Sequence, residues 1–141
     1  MRILVVGDGK VGHVLAEHLT REGHNVVIVD IDEEALQRSE DTLDVMCIRG
    51  NGANAKTLID AGAQKADIIM ILINDERQAD MYKQDIAPYL TEGKAIAFAH
   101  GFNIRYKQIV PPAGVDVFMA APKGPGHTVR STYVVGKGVP C

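Results

Sequence analysis

Short runs of Val, Ile, Leu and Ala alternate along the chain with longer stretches whose apolar residues recur at three- and four-residue spacing. The short runs predict strands at Arg2–Val6, Asn25–Val29, Asp44–Ile48, Asp67–Leu72, Ala95–Phe98 and Asp116–Ala120. They are apolar on both faces, as strands covered by helices on each side of a sheet must be. The amphipathic stretches predict helices over Val11–Glu22, Glu33–Glu40, Asn54–Ala61 and Glu76–Tyr89, and a short one starting near Gly126. Gly23, Gly62 and Gly93 stand where helix ends call for a residue of positive φ. Pro88 should end or kink the fourth helix. This alternation predicts the α/β class: one domain with a doubly wound parallel sheet. Right-handed crossovers give it the strand order 3-2-1-4-5-6. A ligand cleft then lies over the carboxyl ends of strands 1 and 4.

The first strand runs directly into Gly7-Asp8-Gly9-Lys10-Val11-Gly12, and a helical pattern begins there. Gly7 allows a tight turn, Gly9 lets backbone approach a pyrophosphate, and Gly12 permits helix to pack closely on strand. The helix aims its free N–H groups and the positive end of its dipole at the same point. The second strand ends in Asp30, eighteen residues after Gly12, where a carboxylate can accept hydrogen bonds from a ribose 2′-hydroxyl. Strand, glycines, helix, strand and acid in register predict a Rossmann-type dinucleotide site. Asp30 favours NAD(H) over NADP(H), because a 2′-phosphate beside it is repelled and Ile31, not Arg, follows it. Arg38 on the next helix keeps NADP(H) open as the weaker choice. Asp30 can also be read as a strand-end acid capping the helix at Glu33, although Asp32 is the better candidate for that cap.

Composition narrows the field only a little. The 141 residues suit one domain, and 46% hydrophobic with 23% charged residues is ordinary for a globular protein. The net charge of −3 gives no support for nucleic acid as a partner. No apolar stretch is long enough to span a bilayer, and the amino terminus lacks a secretory pattern, so a cytoplasmic location is expected. Cys47 and Cys141 have neither a metal nor a disulfide spacing, and Cys47 reads as a small core residue. Nor do His13, His18, His24 and His127 have a spacing that points at one metal site. The tail Gly136–Cys141 has little to anchor it.

Two resemblances meet in the chain. Residues 1 to about 72 resemble the nucleotide-binding KTN or RCK domain of Trk-type potassium uptake. The resemblance is carried by Gly7-Asp-Gly-Lys-Val-Gly12, Val29-Asp-Ile-Asp32, Arg49-Gly-Asn-Gly52 and Leu58-Ile-Asp-Ala-Gly-Ala63. It implies that Asp30 holds the adenosine ribose and that Gly50, Asn51 and Gly52 lie beside the adenine. From about residue 73 the chain resembles ketol-acid reductoisomerase. Here the carriers are Asp75-Glu-Arg-Gln-Ala, Ala97-Phe-Ala-His-Gly-Phe-Asn-Ile104, Asp116-Val-Phe-Met-Ala-Ala-Pro-Lys-Gly-Pro-Gly-His-Thr-Val-Arg130 and Gly136-Lys-Gly-Val-Pro140. The reductoisomerase's own glycine loop and its Arg/Ser cluster for a 2′-phosphate are missing from the first half. The join falls in Ile71–Glu76, where both families place an acidic pair. The simplest account is an engineered or recombined Rossmann domain.

Asn74 and Asp75 top the fourth strand at the switch point, where they could meet a dinucleotide, cap the helix at Glu76, or do both. His100 and Lys123 follow the fifth and sixth strands and are expected to face the cleft. The reductoisomerase resemblance implies that they border substrate and nicotinamide beside magnesium ions held by a following helical domain. The chain stops before those carboxylates, so the expectation is a dinucleotide-binding domain without a complete active site. His100 and Lys123 would then be vestigial, no metal would be bound, and the chain would be a monomer or weak homodimer. The alternatives are a truncated reductoisomerase with residual reductase activity, a nucleotide-sensing regulator of potassium transport, and a scaffold with an empty cleft. Lys123-Gly-Pro-Gly-His127 lacks a Gly-Lys-Ser/Thr ending, so an NTPase phosphate loop is rejected.

Overall fold

The computed structural model describes residues 1–140, without the side chains of Ala55, Gly126 and His127. The readings of Cys141 and of the His127 side chain lie outside the described residues. The strands are β1 (Arg2–Val6), β2 (Asn25–Asp30), β3 (Met46–Arg49), β4 (Ile68–Ile71), β5 (Ala95–Phe98) and β6 (Asp116–Met119). They form one parallel sheet in the order β3-β2-β1-β4-β5-β6, as expected. The helices are α1 (Lys10–Arg21), α2 (Glu33–Thr42), α3 (Ala55–Asp60), α4 (Asp75–Met81), α5 (Phe102–Arg105) and α6 (Gly126–Val134). Among the described residues no helix is long and apolar enough to cross a membrane.

The period-two alternation of a strand divides the core in two. Leu4, Val6, Val27, Val29, Ile69, Ile71, Ile96 and Phe98 face one side, packed with Leu58 of α3 and Met81 of α4. Ile3, Val5, Val26, Ile28 and Met70 face the other, against Ala16 of α1 and Leu36 of α2. Burial on both faces is what makes the central strands continuous apolar runs. The sixth strand breaks that expectation: Val117, Phe118 and Met119 are all exposed. β6 is an edge strand that pairs only with β5.

Two further departures have local causes. The segment predicted as one helix from Glu76 to Tyr89 begins at Asp75, widens to a π turn over Tyr82–Ile86 and tightens to a 3₁₀ turn over Ala87–Tyr89. Pro88 has no N–H for the regular ladder, and its ring would strike the carbonyl of Gln84, so the change of helix type falls just ahead of it. The tail is anchored after all, since the Lys123 N–H donates to the Pro140 carbonyl at 2.7 Å. That bond returns residue 140 to the loop after β6.

The closest fit in the fold lies between α1 and the turn after β1. A Cβ on Gly12 would stand 1.9 Å from the Gly7 carbonyl oxygen, whereas one on Gly9 would meet nothing within 4 Å. Gly12→Ala should therefore cost about 3 kcal/mol or more, at the upper end of overpacking effects, with a shift in urea midpoint to match. Gly9→Ala should stay within about 1 kcal/mol of the parent in the same measurement.

Candidate functional site

The site is built where β1, β2 and β4 end. Gly7 takes φ +116°, and its N–H donates to the Val29 carbonyl at 2.8 Å, which turns the chain sharply off β1. Gly9 stands at the N-cap of α1, where no side chain supplies a cap hydrogen bond. The first N–H groups of the helix have no partner within it and point toward open space. Lys10 and Val11 occupy the first turn of the helix with exposed side chains.

Asp30 joins the two neighbouring turns. Its Oδ2 accepts a short hydrogen bond from the Asp8 N–H, and its Oδ1 accepts from the Asp32 N–H at 2.9 Å. Each oxygen keeps a second lone pair, so the carboxylate can still receive hydroxyl donors. Asp32 is the cap that the sequence suggested: its Oδ1 accepts from the N–H groups of Glu34 at 3.0 Å and Ala35 at 3.3 Å. Beyond β3, the Gly50 N–H donates to the Asp30 carbonyl at 2.8 Å, and Asn51 Oδ1 accepts from the Ala53 N–H at 2.9 Å. Cβ atoms at Gly50 and Gly52 would meet Thr57 and Val6 side chains at 2.5 Å, so this turn too is seated closely.

These turns enclose a cleft of about 230 Å³ lined by Gly7, Gly9, Asp30, Ile31, Asn51, Gly52, Leu72, Asn74 and Arg77, among others. Seven of those are residues singled out from the sequence. Arg77 was missed. It lies inside the Asp75-Glu-Arg-Gln-Ala motif, in the first turn of α4 at the rim of the cleft. The absence of a capping bond from Asn74 is a correction to the sequence reading: Asn74 is the N-cap residue of α4 by position, yet its side chain caps nothing. A broader polar depression of about 790 Å³ lies at the opposite, amino ends of the strands, between Arg2, His24, Asp44 and Lys65. It has neither the glycine turn nor a helix N-terminus.

Asp8, Asp75, His100 and Lys123 do not line the cleft. The Asp8 side chain turns under the loop, 1% exposed, where its Oδ2 accepts from Ser39 Oγ at 2.8 Å. Ser39 Oγ also lies 2.7 Å from His13 Nδ1, so His13 must donate there while Ser39 donates to Asp8. Among the described residues Asp8 Oδ1 has no hydrogen-bond partner. Burial raises the Asp8 carboxyl above its ordinary value, and the Ser39 hydrogen bond and His13 only partly oppose it. Burial likewise pushes the Cys47 thiol up to about 12, in keeping with an inert core cysteine.

On the other side, His100 Nδ1 lies 2.6 Å from Asp75 Oδ2, ahead of a buried polar cluster. Gln78 Nε2 donates to Asp75 Oδ1 at 3.1 Å and to the Ile73 carbonyl at 2.8 Å. Asn103 Nδ2 donates to Gln78 Oε1 and to the Asp75 carbonyl, both at 2.9 Å. His100 was expected to face the cleft, but this pairing draws it to the start of α4. Lys123 sits four residues past β6 in the turn tied to Pro140.

The family model described as "Acetohydroxy acid isomeroreductase, NADPH-binding domain" matches residues 1–141, the first half as well as the second. Among solved structures, the chain is similar to an NADH-preferring ketol-acid reductoisomerase from an uncultured archaeon, with 39% identity and a TM-score of 0.71 over 98% of this chain. It spans 40% of that protein's length. The TrkA-N domain of the Escherichia coli inner membrane protein ybaL shares the fold at 18% identity and a TM-score of 0.61, covering 96% of this chain and 94% of its own. The GsuK channel bound to NAD does so at 16% identity and a TM-score of 0.61, covering 83% of this chain and 21% of its own.

The raised Asp8 carboxyl makes a prediction about pH. A folded-state value above the unfolded one means that the native state binds this proton more tightly, so Asp8 favours folding most at low pH. That contribution is lost as the pH rises through the folded-state value. Asp8→Asn has no such loss. Its stability relative to the parent, from urea midpoints, should improve between about pH 4 and about pH 7.

Proposed function

The chain belongs to the acetohydroxy acid isomeroreductase NADPH-binding domain family, and on that premise we propose that residues 1–141 bind a nicotinamide dinucleotide, NAD(H) in preference to NADP(H). The observation that carries the preference is the Asp30 carboxylate at the end of β2, beside the cleft, with no cation immediately after it. The residues fit the group. Gly9 leaves open space for a pyrophosphate to approach, and the uncapped N-terminus of α1 supplies N–H donors.

In this reading Gly7, Asp8, Gly9, Lys10, Val11 and Gly12 shape the phosphate turn, to which Asp8, with its side chain buried, contributes backbone alone. Arg77 adds a cation on the opposite rim. Asp30 and Asp32 hold the ribose corner, and Ile31, Gly50, Asn51 and Gly52 border the adenine. Asn74, Asp75 and His100 mark the direction of the nicotinamide, which when bound gives or accepts a hydride. The description of the archaeal relative as NADH-preferring supports the same preference. We assign no catalytic step to these residues alone, because His100 is engaged by Asp75 and Lys123 lies apart from the cleft. A monomer or weak homodimer in the cytoplasm completes the reading, with the exposed β6 edge as the surface of any association.

Calorimetric titration tests the reading. NADH should bind more tightly than NADPH, and Asp30→Ala should weaken NADH by about 10- to 100-fold and erase the preference. Arg77→Gln should weaken both cofactors by about threefold to tenfold, less so at high salt. Absence of binding by the folded, nucleotide-free protein would overturn the proposal. Sedimentation velocity should show a monomer at low concentration, and a stable higher oligomer would contradict that part.

A further inference from the structure

A second residue near the ribose corner bears on cofactor choice, on the premise that the cleft binds a dinucleotide as proposed above. Arg49 ends β3 and is the register partner of Asp30 on β2. Register partners in neighbouring strands stand about 5 Å apart and direct their side chains to the same face. A phosphate carried on a hydroxyl held by Asp30 would therefore lie beside the Arg49 side chain. A guanidinium is well matched to phosphate, offering a planar set of donors and a permanent charge. In the structure that guanidinium is already taken, because Arg49 Nη1 lies 2.8 Å from Glu33 Oε2 at the first position of α2.

We propose that Arg49 is a latent ligand for the 2′-phosphate of NADP(H), held out of use by Glu33. The Glu33–Arg49 pair then sets the cofactor ratio together with Asp30. Asp30, Asp32, Glu33 and Glu34 crowd four carboxylates into the turn from β2 into α2, all of them repelling a dianionic phosphate. Arg38, the cation of α2, has an exposed side chain and is not in register with Asp30. Arg49 is the cation placed in register with Asp30. The side chains of its ion pair are 63% and 71% exposed, so the pair is weak and one substitution can release the guanidinium.

The test is the NADPH-to-NADH affinity ratio, measured by calorimetry at low salt on the parent and three variants. Glu33→Gln removes one repelling charge and frees Arg49, and should raise the ratio by about threefold to tenfold. Arg49→Gln alone leaves Glu33 unneutralised and should lower it. The double variant Glu33→Gln with Arg49→Gln should lose most of the gain, and added salt should shrink the gain in the single variant. If Glu33→Gln leaves the ratio unchanged while NADH still binds, this inference is overturned and the dinucleotide reading stands. A gain that survives in the double variant overturns it as well, since charge removal alone would then explain the effect. If the parent binds neither cofactor, the dinucleotide reading fails and this inference falls with it.

Discussion

Asp30 accepts from the backbone on both sides, from Asp8 in the turn after β1 and from Asp32 in the turn after β2. Through its carbonyl it also receives the Gly50 N–H from the turn after β3. One residue thus ties together the three turns that form the floor and one wall of the cleft. Charge-assisted bonds from backbone N–H groups to a carboxylate are about twice as strong as neutral ones. The negative charge is therefore part of how the loops are held. In the proposed reading the same charge also discriminates against a 2′-phosphate, so stability of the turns and cofactor preference would be coupled at this position.

The opposite wall is held by a different device. Gln78 and Asn103, each 2% exposed, join α4 to α5 through amide hydrogen bonds and carry Asp75 and His100 at their outer end. Buried amides satisfied in this way fix one arrangement, because breaking any bond leaves a desolvated polar group. This accounts for the particular residues in the segments Asp75–Ala79 and Ala97–Ile104. Gln78 and Asn103 are the bolts between two short helices, and the cleft-facing residue of the first segment is Arg77. The family match across the whole chain fits this division, with both walls made from one continuous domain.

The order of the strands, the helices other than the single turn of α5, the glycine turn, the acid after β2 and the Asp32 cap were all legible in the chain. Each follows from local chemistry: apolar period, positive φ, a carboxylate within reach of the first N–H groups of a helix. The readings that failed depended on what lies alongside a segment. β6 has the apolar pattern of a covered strand, but only its position at the sheet edge leaves Phe118 and Met119 exposed. Asn74 precedes a helix as a cap residue should, yet its side chain does not fold back on that helix. The burial of Asp8 depends on Ser39, thirty-one positions away, and no local pattern announces it.

The sequence by itself determined the class of fold, the position of the cleft and the residues of its glycine turn, because a parallel sheet places every strand-to-helix turn at one end. Tertiary structure decided which side chains enter that cleft and which are used up in holding it. Asp8 and Asp30 are both acids beside glycine turns, but one is buried under the loop and the other faces the cleft. Arg38 and Arg49 both follow Asp30 closely in the chain or the sheet, but only Arg49 stands in register with it. Those distinctions arise from contacts between segments far apart in the chain, where distance and solvent access, not residue type, set what a charge can do.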